Sequence, residues 1–219
     1  MTDAAAVLGA LEGVRDPELD QSLVELGFVA GVEVDGESVA VRLRLPTYFC
    51  APNFAFLMVA DARAAVEALP GVAVARIDLE DHFTADEINA AVSGGDGFVD
   101  AFPDHAAAEL DELRALFQRK ALMARQGRLA AGLEDPVSLT LGELSGPDAE
   151  RCRELRRELG IDATPSAPAF VTGEGAPVSA ADFPRFLRLT RLISTSLEGN
   201  AGLCRGLLKT RYDLGEVAA

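Results

Sequence analysis

Val32-Glu33-Val34-Asp35-Gly36-Glu37-Ser38-Val39-Ala40-Val41-Arg42-Leu43-Arg44-Leu45 is where the chain changes from helical to extended spacing. Val32 and Val34 lead into Asp35-Gly36, a pair that accepts the left-handed backbone of a tight hairpin turn. Beyond it Val39, Val41, Leu43 and Leu45 alternate with Ala40, Arg42 and Arg44, the period of a strand with one buried face. On the N-terminal side, Ala4, Val7, Leu8 and Leu11 fall at helical spacing, with Gly13 as a stop. Asp16-Pro17-Glu18 then reads as a helix start, because Asp16 can cap, Pro17 fits the first helical position and Glu18 suits the dipole. That short helix is expected to end at Gly27. On the C-terminal side, Pro52 opens a helix to about Leu69 with Phe54, Leu57, Met58 and Val66 among its apolar residues. Pro70-Gly71 breaks it, and Val72 to Glu80 reads as a third strand. A helix between the second and third strands makes them parallel through a right-handed crossover. The expected fold class is α+β: a small sheet, hairpin plus crossover strand, with packed helices over residues 1–83.

Residues 84–219 are expected to form a mainly helical C-terminal domain. Thr84-Ala85-Asp86-Glu87 matches a capping box, and Ser93-Gly94-Gly95-Asp96-Gly97 is a flexible break. Helical runs follow from Asp104 to about Leu129 and from Pro147 to Leu159. A Pro/Gly-rich loop at 161–178 has room for a short strand at Ala169–Thr172. A helix begins at Ser179-Ala180-Ala181-Asp182, and a last one covers Asn200 to Lys209.

The chain of 219 residues is 49% hydrophobic and 25% charged, the composition of a globular protein with ample core. A net charge of -15 argues against nucleic acid and anionic membranes as partners. Asp3, Glu12, Asp16, Glu18, Asp20 and Glu25 interrupt the first 25 residues, which do not read as a signal peptide, and no stretch approaches a membrane span. Three widely spaced cysteines make no disulfide framework. The expectation is a cytoplasmic, reduced protein.

Cys50 lies in Leu45-Pro46-Thr47-Tyr48-Phe49-Cys50-Ala51-Pro52-Asn53, a strand-to-helix loop. A helix N-terminus favours thiolate, the form that binds metal or attacks carbon; a small buried hydrophobe is the other reading. Cys152 sits on an apolar helical stripe and reads as packing. Cys204 aligns with Leu197, Ala201, Leu207 and Leu208, yet its polar, glycine-rich surroundings leave open a two-thiolate site with Cys50. No Cys-x-x-Cys or paired Cys/His spacing supports a closed zinc site. His82 and His105 read as surface or capping residues.

At these residues the chain resembles the SufT/PaaD-type family of iron–sulfur cluster assembly proteins. The matching segments are Asp16-Pro17-Glu18-Leu19, Leu26-Gly27-Phe28-Val29, Val32-Glu33-Val34-Asp35-Gly36, Val39-Ala40-Val41-Arg42-Leu43, Thr47 ahead of Cys50, and Leu69-Pro70-Gly71-Val72. The resemblance covers residues 1–81. It implies an α+β domain that gathers Asp16, Glu18, Thr47 and Cys50 at one end of the sheet. It further implies a maturation or targeting factor, not an enzyme, with no catalytic residue and no resident cofactor. Cys50 would touch iron or a cluster transiently, Asp16 and Glu18 would be weaker ligands, and Cys204 a speculative one. The expected partners are a client metalloenzyme and other assembly factors, and self-association is left open. The loop has one residue fewer between Thr47 and Cys50 than is common in the family, and Tyr48 and Phe49 make it bulkier, which implies a specialised client.

Three other functions compete. The domain could be an accessory factor for a non-sulfur iron monooxygenase. It could be a metal-free interaction scaffold, for which Arg185, Arg188 and Arg191 at spacing three would supply a docking face. A cysteine-nucleophile enzyme would need His82 as base beside Cys50 and an orienting carboxylate such as Asp16.

Overall fold

The computed structural model describes residues 2–103, 107–133 and 136–214. Strand β1 (Val29–Asp35) pairs antiparallel with β2 (Ser38–Arg44), and β2 pairs parallel with β3 (Val74–Glu80). The strand order is β1-β2-β3. Asp35 faces Ser38 across a two-residue turn in which Gly36 has φ +60, a backbone that a residue without Cβ adopts freely. Helix α1 (Ala4–Leu11) is capped by the Asp3 carboxylate, which accepts from the Ala6 N–H at 2.8 Å. Helix α2 (Pro52–Glu67) makes the crossover from β2 to β3. Alternation puts Val39, Val41 and Leu43 on one face of β2, directly opposite Ala75, Ile77 and Leu79 of β3. This face is covered by Phe56, Met58, Val59, Ala62 and Val66, and by Val7 and Leu11. The fold is therefore the expected three-stranded sheet with packed helices, followed by a mainly helical C-terminal region.

The remaining helices are α3 (Ala85–Gly94), α4 (Phe98–Ala101), α5 (Ala107–Ala130), α6 (Pro147–Glu158) and α7 (Phe183–Tyr212), with 3-10 turns at Pro136–Ser138 and Leu141–Glu143. The chain divides into two compact units: Met1–Asp111 with Asn200–Ala219, and Glu112–Gly199. These borders differ from a division at residue 83, because Ile88, Ala91, Val92 and Phe98 join the sheet's core, as do Ala201 and Leu208 of α7. The second unit packs Met123, Leu141, Phe170, Phe183 and Phe186 together. Its Arg156 side chain is fully buried, with guanidinium N–H groups donating to the carbonyls of Pro168 (3.0 Å) and Ala169 (2.7 Å).

Local expectations diverge at four places. Asp16-Pro17-Glu18 starts a turn and not a helix, since Asp20 takes φ +50 and stops propagation after one turn. The break expected near Gly199-Asn200 does not occur, and α7 runs through it; a helical glycine costs only about 1 kcal/mol, which the flanking packing offsets. Ala169–Thr172 forms no strand; Val171 makes an isolated bridge to Pro177, and Pro168 just before it bridges Thr140. Thr84 does not cap α3 with its side chain, which is directed to His82. The expected start of the long helix at Asp104, and His105, lie outside the described residues.

Candidate functional site

Cys50 sits between the Tyr48–Phe49 turn of the β2–α2 loop and Ala51, the backbone cap of α2. Ala51 supplies no capping side chain, and in the first turn of α2 the Phe54 N–H donates instead to Asn53 Oδ1 at 2.9 Å. The Cys50 Sγ lies 3.3 Å from Thr47 Oγ1, a contact in which either atom can donate. Cys50 is partly exposed and packs its inner side against the sheet's core.

His82 fixes this loop from behind. Its Nε2 is 2.7 Å from the Cys50 carbonyl oxygen, and its Nδ1 is 3.3 Å from the Thr84 backbone nitrogen and 3.1 Å from Thr84 Oγ1. A backbone N–H can only donate, so Nδ1 accepts and the ring proton belongs on Nε2, which donates to Cys50. Burial lowers the His82 pKa below its ordinary value of 6.5, against the opposing pull of the Cys50 carbonyl. Both ring nitrogens are thus committed away from the thiol. The approach to His82 passes through Asp81, which holds φ +51 and whose carbonyl accepts from the Arg211 guanidinium. Arg211 also donates to the Leu45 carbonyl at 3.1 Å, tying the ends of β2 and β3 to α7.

Asp16 is buried at 8% exposure, and its Oδ1 accepts from the backbone N–H of Glu18 (2.8 Å) and Leu19 (3.0 Å). Desolvation lifts its pKa from 3.8 to about 6 in spite of those two bonds, and the charge of Glu18 adds to the lift. Glu18 Oε1 receives a long hydrogen bond, 3.5 Å, from Asn200 Nδ2. Cys204 is one helical turn beyond Asn200 on α7. Burial pushes its thiol up to about 11, and the fields of Asp16, Cys50 and Glu18 push in the same direction. Asp16, Glu18, Cys50 and Cys204 therefore share one neighbourhood of the first unit, with Thr47 on the Cys50 sulfur. Among the described residues no three His, Cys, Asp or Glu side chains are disposed to hold a metal ion, so the neighbourhood is not a preformed closed site. Cys152 is separate: it is buried in the second unit, where desolvation raises its pKa to about 12.

The sequence reading did not foresee the apolar surface around Cys50. Tyr48, Phe49 and Phe83 are 48%, 75% and 42% exposed, and their rings stand 5.0 to 6.2 Å apart in one cluster. Phe83 reaches the loop because its N–H donates to the Tyr48 carbonyl at 3.2 Å. Two consecutive aromatics in a loop, where no strand or helix face needs them, were the available signal. Arg211 gave none, since its acceptors lie more than a hundred residues away. Arg185, Arg188 and Arg191 are exposed, as a solvated face requires.

The family model for iron–sulfur cluster assembly proteins matches residues 4–79. An iron–sulfur cluster carrier protein of Synechocystis is 44% identical over 72 residues, covering 33% of this chain and 20% of that protein. This chain thus spans about a fifth of the carrier's length. An uncharacterized protein of Methanocaldococcus jannaschii is 36% identical over 84 residues, 38% of this chain and 86% of its own length. No solved structure matches the chain. No described helix is long and apolar enough to cross a membrane. The matched segment holds the sheet but for its last residue, Glu80, together with the Asp16 turn and the Cys50 loop, and through it the chain belongs to the family of iron–sulfur cluster assembly proteins.

Proposed function

We propose that this protein is a maturation factor that passes iron or an iron–sulfur cluster to a client metalloenzyme, with Cys50 as a transient ligand to the cargo. The observation that carries the reading is the gathering of Cys50, Cys204, Asp16 and Glu18 in one neighbourhood that is partly open to solvent. Two thiols fall short of the four thiolates that usually retain a cluster, and carboxylates are weak partners for it, so such a donor set favours release over storage. Both thiols are half-buried, and Cys50 is the proposed entry point because it lies in a loop at a helix N-terminus. Cys204, its pKa pushed up to about 11, stays a thiol until cargo displaces its proton. The exposed rings beside the loop supply an apolar footing for the client, since clustered aromatics are the side chains that most often anchor interfaces.

The cysteine-nucleophile reading is disfavoured by His82, whose ring nitrogens face the Cys50 carbonyl and Thr84. Anaerobic reconstitution of the full chain with ferrous iron and sulfide, followed by visible absorbance, tests the proposal. Wild type is expected to take up metal labile to a chelator, Cys50→Ala to lose most of it, and Cys204→Ala to lose part. Absence of uptake by wild type, or equal uptake by Cys50→Ala, sinks the reading.

A further inference from the structure

We propose that the second unit holds a separate binding groove for a small amphipathic carboxylate, an anionic head on an aliphatic body. The groove has a volume of about 470 Å³, within the range of small-molecule sites. Leu116, Arg119, Lys120 and Met123 of α5 line one wall, all on one face by their spacing of three, four and seven. Arg185, Phe186, Leu189 and Ile193 of α7 line the other, with Leu189 and Ile193 four and eight residues beyond Arg185 and Phe186 beside it. The loop from Thr172 to Val178 lines the groove between the two walls, with Gly173 packed beside the Arg119 stem.

The floor is apolar and built into the core, with Met123, Val178 and Phe186 at 8%, 7% and 6% exposure. Leu116 and Leu189 at the mouth remain 46% and 48% exposed, an apolar lining that water covers poorly. Three cations converge on this lining from both walls. Elsewhere in the unit Arg125 and Arg128 share Asp148, and Arg151 and Arg153 take glutamates of their own helix. Arg119, Lys120 and Arg185 have no ion pair among the described residues; Lys120 instead lies over the Phe117 ring at 4.3 Å. Two carboxylates also border the groove. Asp182 is engaged by the Ser179 hydroxyl at 2.6 Å, and Glu174 sits in the end loop. The surplus of one positive charge, in a chain of net charge -15, selects an anion, and the apolar floor selects a tail. Arg119 and Arg185 offer planar forks for a carboxylate.

Titration calorimetry of the full chain with decanoate, decanol and decyltrimethylammonium, each below its aggregation threshold, tests this. Decanoate is expected to bind at one site per chain, at least tenfold more tightly than decanol, with no binding of the cation. Arg119→Ala with Arg185→Ala should weaken decanoate at least tenfold while circular dichroism stays unchanged, and Arg188→Ala, on the same helix but outside the groove, should leave it unaltered. Binding of decanol or the cation as tight as decanoate, no decanoate binding at millimolar concentration, or equal loss with Arg188→Ala overturns the proposal. If the double variant unfolds, Arg185→Gln alone serves, and unchanged affinity there overturns it equally. The outcome is independent of metal uptake at Cys50.

Discussion

Met1–Asp111 with Asn200–Ala219 hold 8 Lys+Arg and 23 Asp+Glu, whereas Glu112–Gly199 hold 12 of each. The whole net charge of -15 thus belongs to the unit that carries the sheet and Cys50, and the other unit is neutral. The two units also treat buried polar groups differently. In the second, Arg156 is fully buried and spends its guanidinium on main-chain carbonyls, so the charge organises a loop. In the first, Asp16 is buried with two backbone donors, and desolvation, joined by the charge of Glu18, opposes its ionisation in spite of those bonds. The buried charge of Arg156 is met by main-chain carbonyls although its Nε lacks a partner, whereas burial opposes the charge of Asp16.

The largest break in this comparison is expected from Arg156→Ala. It orphans several buried carbonyls at once, and urea denaturation should show a loss of about 4 kcal/mol. A loss under about 1 kcal/mol would mean the guanidinium is dispensable and the contrast with Asp16 false.

Asp16 comes next. Its folded pKa of about 6 exceeds the 3.8 of the unfolded chain, so the folded state holds a proton that the unfolded state has released between those values. Stability therefore falls as pH rises from about 4 to 6, by about 3 kcal/mol in all. Asp16→Asn does not titrate, and the stability difference between wild type and variant should follow that step. A difference flat across the window refutes the strained carboxylate.

His82 works with the opposite sign. Its folded pKa is lowered, so its contribution is complete above about 6.5 and is lost as pH falls through the folded value. Gln at position 82 can still donate to the Cys50 carbonyl without titrating. Wild type should lose stability relative to His82→Gln on acidification, read from urea midpoints at pH 7 and pH 5. No change would mean the ring is not held neutral.

How much of this was legible in the chain depends on distance along it. The hairpin, the crossover helix and the β3 alternation were readable because each signal is local: Asp35-Gly36, Pro52 and the period-two valines. Thr47 and Cys50 are three residues apart, and their contact follows from one loop. The Asp16 turn was misread because a capping aspartate serves a single turn as well as a helix, and only the left-handed Asp20 decides between them. The continuity of α7 was hidden by Gly199 and Gly202, which punctuate a sequence more strongly than they break a packed helix. Cys204 reaches the Asp16 neighbourhood only through tertiary packing, and so does Phe83 beside Tyr48.

The placement of the tyrosines has a consequence for watching the molecule in solution. The chain has no tryptophan and two tyrosines, and both stand in the acidic unit: Tyr48 among the rings beside Cys50, and Tyr212 with the guanidinium carbons of Arg44 and Arg211 5.0 and 5.1 Å from its ring centroid. Tyrosine emission is therefore a built-in optical gauge of that unit alone, silent toward residues 112–199. If Cys50 takes up iron or a cluster as proposed, Tyr48 emission should be quenched, and the loss of light would time that step without any attached label.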